Sequence, residues 1–237
     1  MNETIDLMKR HISVRRFGEK SISDEELREI LEAGRMASSW KNFQSYSIIV
    51  VRSEEKKQAL YDLLPQPAIL AANVFLLFVG DLNRAGKGVN LHSPTFHPEG
   101  VENLLISSVD ASLAAQNTLL AAESLGYGGV IIGVLREVAE DLARLFDLPD
   151  YVYPIFGIAL GEPAQSRPPK PRLPYDNVIF EERYQEQSRE VIKEYDKIQK
   201  DYAGDRVTTT WSERLADQFS QAENPVTKDY LTKKKLL

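Results

Sequence analysis

The amino-acid sequence predicts an α+β fold, in which short buried strands are separated by helices, on three observations. Four short apolar or β-branched runs are bounded by polar residues or glycines, which is typical of strands. A serine-led segment near residue 23 has the apolar spacing of an amphipathic helix, and a long Ala- and Leu-rich segment ends at a glycine. With 237 residues, one large domain or one domain with an extension is expected.

The first part of the chain is predicted to contain a capped helix and two strands. The Ser23 hydroxyl can accept the Glu26 amide while the Glu26 carboxylate reaches back to the Ser23 amide, which forms a capping box. Apolar residues at i, i+3, i+4 and i+7 from Leu27 then indicate a helix packed on a core. Residues 45–52 are β-branched and predict a strand, whereas residues 73–80 are apolar throughout and predict a strand buried on both faces.

An irregular stretch precedes the longest predicted helix. Residues 81–100 contain three glycines and two prolines without periodicity, so we expect a surface excursion. Residues 102–125 are apolar nearly all round and predict a central, buried helix with Gly126 as its left-handed C-cap. Asp110 and Gln116 inside this helix are expected to be satisfied core polar groups rather than catalytic ones. Two further strands are predicted at 129–133 and 153–161, and a helix at 136–146.

Five prolines between residues 163 and 174 exclude a helix or central strand from that segment. Residues 181–202 are helical in composition but polar on most faces, which packing on their own domain explains poorly. We therefore expect residues 1–162 to form the core of a homodimer. Residues 163–237 would be a proline-rich exit and C-terminal arm of the same domain, packing on the partner subunit.

Composition excludes several classes of function. A net charge of −6 and a pI near 5.3 give no bulk attraction to nucleic acid or to an anionic membrane surface. The absence of cysteine excludes thiolate nucleophiles and zinc–thiolate sites, and it fits a reducing cytoplasm. The first residues lack a signal-peptide pattern, and no apolar run approaches the ~20 residues of a membrane span. We therefore expect a soluble, cytoplasmic protein.

Familiar nucleotide and metal motifs are defective or absent in the sequence. The glycines of residues 80–88 have the wrong spacing for a P-loop, and Gly88 replaces the Ser or Thr that would hold magnesium. Residues 126–131 lead from a helix into a strand, so no helix N-terminus would face a pyrophosphate as in Rossmann binding. His92 and His97 have no carboxylate at ligand spacing, so we expect no metal site.

Two basic segments are candidates for binding an anion. In extended chain His11, Ser13 and Arg15 point to one side, which presents a hydroxyl, a permanent cation and a potential cation. Taken alone, this segment would fit a solvated basic strand better than a phosphate site. Prolines keep Lys170 and Arg172 together at small entropic cost, which suits an anion as well as it suits a solvated turn.

A third segment, residues 38–44 (SSWKNFQ), directly follows the first predicted helix. It offers hydroxyls, amides and two aromatic rings, which a stacked heterocycle with polar edges would require.

In their order and spacing, these segments resemble the oxygen-insensitive NAD(P)H nitroreductase and flavin reductase group of the nitroreductase superfamily, nearly from end to end. The resemblance implies a mainly antiparallel sheet flanked by helices, in a homodimer interlocked by its termini, with two FMN sites at the interface. The matching segments are HxSxRxF at 11–17, RxxSS at 35–39 with Gln44, AQN and AAESLG within 115–126, GGVIIGVLR at 128–136, PxFGxxLG at 154–161, KPRLP at 170–174 and TWS at 210–212.

The resemblance assigns the basic residues to the flavin cofactor. His11, Ser13, Lys170 and Arg172 would bind the FMN phosphate. Arg15 would face the pyrimidine edge of the flavin and stabilise the negative charge that reduction leaves there.

The remaining implied contacts surround the flavin ring. Gln66 would hydrogen-bond the pyrimidine edge, and Ser39 would contact the flavin from the other subunit. Ile131 to Gly133 would run beneath the ring, with the Gly133 amide directed at N5. The residues implied to contact the nicotinamide nucleotide or the acceptor are Trp40, Lys41, Phe43 and Arg206.

The function implied by the resemblance is two-electron, ping-pong hydride transfer from NADH or NADPH, through FMN, to a nitroaromatic, a quinone or free flavin. No catalytic acid or nucleophile of the protein would be needed. Two alternatives remain open: a non-enzymatic flavin-binding module, and an ene-reductase or dehydrogenase of the same fold that acts on a metabolite.

Several positions depart from the family pattern. Ile131 stands where a tyrosine is common under the flavin, and Val134 replaces a glycine. Trp40 and Lys41 replace small hydroxyl residues beside the cleft, so an unusual acceptor range is expected.

Overall fold

A computed structural model of the chain describes residues 2–222 and 225–237. The chain forms two compact units, the first of Met1–Arg167 with Pro225–Leu237 and the second of Pro168–Asn224. The predicted C-terminal arm therefore does not form one body, because its last residues belong to the first unit. Packing of the second unit on a partner subunit stays a prediction.

Helices and strands alternate along the first unit. In chain order they are α1 (Glu3–Lys9), α2 (Asp24–Arg35), β1 (Tyr46–Val51), α3 (Glu54–Leu63), α4 (Pro67–Ala71), β2 (Val74–Asp81), α5 (Asn83–Val89), α6 (Val101–Ser124), β3 (Gly128–Ile132), α7 (Ala139–Leu145) and β4 (Val152–Gly161). The second unit contains α8 (Arg189–Ala203) and α9 (Trp211–Phe219), and the first unit resumes with α10 (Val226–Lys233).

The four strands form one antiparallel sheet in the order β1-β2-β4-β3. The two central strands, β2 and β4, are buried along almost their whole length, as their continuous apolar sequences predict. All four predicted strands and the mainly antiparallel α+β fold are confirmed. The edge strand β3 is the one that leads to the predicted flavin-contacting residues.

Helix α2 begins at the predicted capping box. The Ser23 hydroxyl accepts the Glu26 amide at 3.2 Å, and the Glu26 carboxylate accepts the Ser23 amide at 2.9 Å. Leu27, Ile30 and Gly34 are buried, which confirms the predicted inward face.

Helix α6 differs from its prediction in one respect. Its bounds and the left-handed conformation of Gly126 (φ +85°) are as expected. The expectation of burial all round is wrong for a single chain, because one face of the helix points outward. Gln116, predicted to be a core group, lies on the exposed part of the helix. The exposed apolar residues, spaced four apart, are Val101, Leu105, Val109 and Leu113.

The structure contains one helix that the sequence did not predict, and another that begins later than predicted. The predicted excursion after β2 contains α5, which starts where the Asp81 carboxylate accepts the Arg84 amide at 3.2 Å. The predicted polar helix begins only at Arg189, because the Ser188 hydroxyl caps it by accepting the Val191 amide. For α8, the capping hydroxyl of Ser188 marks the start of the helix, which composition alone does not indicate.

The last residues of the chain pack into the core of the first unit. Tyr230, Leu231 and Leu236 are buried in its core, and the Leu236 carbonyl accepts the Gly100 amide at 3.0 Å. Within residues 2–222 and 225–237, no helix combines the length and the apolar character that crossing a membrane requires.

The capping box of α2 makes stability depend on pH. Hydrogen bonds from the Ser23 amide and hydroxyl lower the pKa of Glu26 from 4.5 to about 2. A carboxyl group with a lowered pKa contributes stability that is fully present above its unfolded pKa and lost as the pH falls through its folded pKa. We expect Glu26→Gln to lower the free energy of unfolding at pH 7 and to have a smaller effect at pH 3, as measured by urea denaturation.

Glu25→Gln is the matched control, because Glu25 lies in the same first turn of α2. An effect of Glu26→Gln that is the same at both pH values, or no larger than that of the control, would contradict the prediction.

Candidate functional site

The N-terminal segment that carries the first basic cluster lies beside β3. The Val14 amide donates to the Gly129 carbonyl of that strand at 2.9 Å. The Gln165 side chain holds the segment a second time, donating to the Ser13 carbonyl at 3.2 Å and accepting the Arg15 amide at 3.4 Å. Both predicted cofactor residues are thus fixed next to the edge strand.

His11, at the start of this segment, has a carboxylate partner. Its Nδ1 lies 2.5 Å from Oε1 of Glu123, which stands in the last turn of α6, and both side chains are partly or largely buried. A carboxylate at this nitrogen requires Nδ1 to carry a proton, so Nε2 remains for another ligand. In the described part of the chain, no three His, Asp or Glu side chains form a metal-binding group.

The edge of the sheet has both charge and open space for a flat anionic group. Among the described residues, the exposed guanidinium of Arg15 has no hydrogen bond or ion pair. Ile131 is 44% exposed, whereas the other residues of β3 are buried. Gly133 has an ordinary φ of −88°, and a Cβ there would meet Arg136 first, at 3.4 Å. The Arg136 guanidinium is therefore within ordinary contact distance of this position, and neither the backbone nor a clash among the described residues requires glycine there.

The loop of residues 39–45 contains strained backbone. Lys41, Asn42 and Gln44 have φ of 48°, 60° and 55°, in the left-handed region that costs a non-glycine residue on the order of 1 kcal/mol. The Ser39 hydroxyl accepts the Gln44 amide across the loop at 3.3 Å.

This loop presents an exposed aromatic pair. The rings of Trp40 and Phe43 meet edge to face at 5.3 Å, and they are 45% and 58% exposed. Lys41 Nζ lies 4.5 Å from the centre of the Trp40 ring. An open cavity of about 500 Å³ lies next to the loop, lined in part by Phe43, Arg35 and Arg84. Three of the four residues predicted to contact the donor or acceptor are therefore together on one surface.

A second cavity, of about 260 Å³, lies between α6, β4 and α10. Arg136 lines it and donates through Nη1 to the Ile155 carbonyl at 2.8 Å. The Tyr153 hydroxyl on its wall is 2.8 Å from the Ser108 hydroxyl, and burial raises the pKa of Tyr153. Arg136 is also the side chain nearest to Gly133, so it borders both this cavity and the predicted flavin-contacting segment.

The remaining predicted site residues lie elsewhere along the chain. The Gln66 side chain, before α4, makes no hydrogen bond within the described residues. Lys170 and Arg172 belong to the second unit, and their convergence with the N-terminal segment stays a prediction. Arg206 donates to the Ala203 carbonyl at 2.8 Å, so its guanidinium already caps the end of α8.

Sequence reasoning missed four polar residues around this site. Glu123 stands in the AAESLG segment, but only the fold shows that it meets His11. Gln165 lies in the proline-rich exit and carries no recognisable signal. Arg136 is the last residue of the GGVIIGVLR segment, but the family resemblance assigned a role only to Ile131–Gly133 of that segment. Asp110 was expected to be a satisfied core group, which is confirmed, but its partners in the 39–45 loop were not foreseen.

Comparison with known proteins identifies relatives along nearly the whole chain. Residues 8–162 match the nitroreductase family, and residues 170–237 match the nitroreductase family C-terminal domain. The chain is 38% identical to an NADPH-dependent oxidoreductase of Staphylococcus haemolyticus over 91% of this chain and 90% of that protein. It is 36% identical to the FMN reductase (NAD(P)H) of Bacillus subtilis, over 98% and 97% of the two chains.

The solved structures agree with these sequence relationships. The NADPH:FMN oxidoreductase from Vibrio harveyi, complexed with NAD+, superimposes with a TM-score of 0.91 at 36% identity, over 99% of both chains. Sequence and fold thus agree, and the chain belongs to the nitroreductase family.

Proposed function

We propose that this chain is an FMN-dependent oxidoreductase that uses NADH or NADPH to reduce nitroaromatics, quinones or free flavin. One observation carries the proposal: Arg15, which has no ion-pair partner among the described residues, lies beside an edge strand that exposes Ile131. When bound, FMN supplies the two-electron chemistry, by taking a hydride from the donor and passing electrons on in ping-pong order. The names of the relatives above, an FMN reductase among them, support this assignment.

The protein's own groups would bind and orient the cofactor. The Ser13 hydroxyl and the Nε2 of His11 are available to a phosphate, since Nδ1 of His11 is taken by Glu123. Lys170 and Arg172 would complete this phosphate site. The FMN ring would then lie over Ile131, with the Gly133 amide at its edge.

Arg15 would act on the cofactor through its charge. Among the described residues no carboxylate pairs with the Arg15 guanidinium, so its charge is available to a ligand. Positive charge beside the pyrimidine edge stabilises negative charge there, which favours acceptance of an electron pair.

A homodimer would complete the site. The exposed apolar stripe of α6 is a long contiguous surface that water contacts unfavourably, and an identical helix can cover it by two-fold symmetry. Ser39 is tied to the middle of α6 through its loop, whereas His11 is tied to the last turn of the same helix. Asp110 and Glu123, the two tethers, are thirteen residues apart, which is on the order of 20 Å. A contact of Ser39 with the flavin of the other subunit fits this separation.

The donor and the acceptor would use the surface between Arg136 and the aromatic pair. Trp40 and Phe43 offer ring faces and edges, and Lys41 offers a cation for a phosphate or carboxylate group. A flavin-binding module without turnover, or an ene-reductase or dehydrogenase acting on a metabolite, are the alternatives. Anaerobic bleaching of bound FMN by NADH or NADPH excludes the first, and a comparison of nitrofurans and quinones with unsaturated carbonyls tests the second.

Replacing Arg15 tests the central observation. We expect Arg15→Ala to lower the midpoint potential of bound FMN and to slow its reduction by NAD(P)H, because the compensating cation is lost. Arg16→Ala is the matched control, since it removes the same charge from the opposite side of the extended segment. The measurements are spectroelectrochemical titration and anaerobic stopped flow; equal behaviour of the two variants would remove Arg15 from this role.

Replacing Arg172 tests the convergence of the two basic clusters. We expect Arg172→Ala to weaken FMN binding by about 1.5–3 kcal/mol, the value of a charge-assisted hydrogen bond, in a fluorescence titration of the apoprotein. Arg183→Ala, in the same unit, should leave FMN affinity unchanged. Unchanged affinity of the Arg172 variant would separate the proline-rich exit from the cofactor.

Replacing Leu105 tests the dimer. Leu105→Asp would bury an unpaired carboxylate in the centre of the proposed interface, so we expect dissociation to monomers and loss of bound FMN. Sedimentation velocity gives the oligomeric state, and Leu91→Asp, at a 79% exposed position outside the stripe, is the control. A Leu105 variant that remains a dimer would show that this face of α6 is not the interface.

A further inference from the structure

Asp110 is a buried carboxylate that closes the loop of residues 39–45. Its side chain comes from the middle of α6 and is 1% exposed. Oδ1 accepts the Trp40 amide at 2.9 Å, and Oδ2 accepts the Ser45 amide at 3.0 Å. The two amides stand at opposite ends of the loop, so one rigid group on a helix fixes the distance between them.

The loop would not keep its shape without such anchors. Three of its residues are in the left-handed region, and strained backbone persists only where surrounding contacts determine it. The Arg84 guanidinium supplies a second anchor by donating to the Gln44 carbonyl at 2.9 Å. Within the loop, the Gln44 side-chain amide donates to the Asn42 carbonyl at 3.0 Å. Of these contacts, only those of Asp110 join both ends of the loop to the helix.

The anchored loop carries the exposed pair of Trp40 and Phe43. Because both aromatic side chains are exposed, they do not contribute to the hydrophobic core, and their position on a strained loop does not stabilise the fold. The edge-to-face contact and the Lys41 ammonium near the Trp40 ring give the loop a defined surface for a planar, partly anionic molecule. The orientation of that surface is set by the Trp40 amide, which Asp110 binds.

We propose that Asp110 is a positioning residue: it orients the Trp40–Phe43 pair so that this pair contacts the nicotinamide donor or the planar acceptor. The identity of the ligand rests on the proposed function. The role of Asp110 in holding the loop does not depend on it. Asp110 touches neither cofactor nor substrate in this scheme. It acts through the loop, and a rotation of the loop by a small amount would misplace both rings.

A tryptophan signal reports on the loop independently of any reaction. The chain has two tryptophans, Trp40 and Trp211, so the Trp211→Phe background leaves Trp40 as the sole reporter. Near-ultraviolet circular dichroism and acrylamide quenching of Trp40 are measured in the Trp211→Phe protein and in the same protein carrying Asp110→Asn or Asp110→Ala. We expect a weaker Trp40 band and faster quenching in both variants, and a larger change for Ala, which loses both acceptors. Thr118→Val is the matched control, because it removes a buried polar group of α6 that bonds only its own helix.

Kinetics on the FMN-loaded protein then test the consequence for the ligand. We expect Asp110→Asn to lower kcat/KM roughly 10- to 100-fold, mainly through KM, with the FMN midpoint potential unchanged. An unchanged Trp40 signal overturns the proposal, as does an equal change in Thr118→Val. A changed signal with unchanged KM overturns the link to the ligand. If the wild-type protein neither binds nor turns over FMN, the proposed function fails, and the Trp40 comparison still decides whether Asp110 holds the loop.

Discussion

The packing of α6 against the sheet is the constraint on which the site depends. The inner face of the helix is lined with small buried side chains, Ala111, Ala114, Ala115 and Ala122, so the helix lies close to the strands. A helix packed this closely has little freedom to bend, so residues along it keep fixed distances from one another. Glu123 at its end and Asp110 in its middle therefore hold two distant segments of chain in a fixed relationship.

The candidate site contains a positive charge, whereas the protein as a whole is negatively charged. The chain is acidic overall, with a net charge of −6, yet Arg15 keeps a guanidinium with no carboxylate partner among the described residues. Elsewhere most of the ion pairs join neighbouring turns of the same helix or lie on the exposed surface, where they contribute little. An uncompensated cation beside open space is the electrostatic feature that an anionic cofactor would use, and bulk charge gives no indication of it.

The same helix also faces outward. Its exposed stripe occupies the side opposite the alanines, so α6 both builds the core and exposes the surface that we propose as the dimer interface. Asp110 precedes the inner alanines and follows Val109 of the stripe, so the loop it anchors lies at the border of that surface. The proposed cofactor site, the loop and the proposed interface therefore share one helix, and disturbing that helix should affect all three.

The features that could be predicted before the structure was known depend on residues close together in the chain or on segments that match the family pattern. The capping box at Ser23, the buried strands, the C-cap at Gly126 and the resemblance to the nitroreductase family could all be predicted, because each depends on residue type at short spacing. The tertiary structure alone decided the pairing of His11 with Glu123, 112 residues away, and the closure of a loop by Asp110, 65 to 70 residues away. It also decided which face of an evenly apolar helix remains exposed. Such contacts form only when the sheet brings distant segments together, and no local pattern encodes which partner a buried carboxylate will meet.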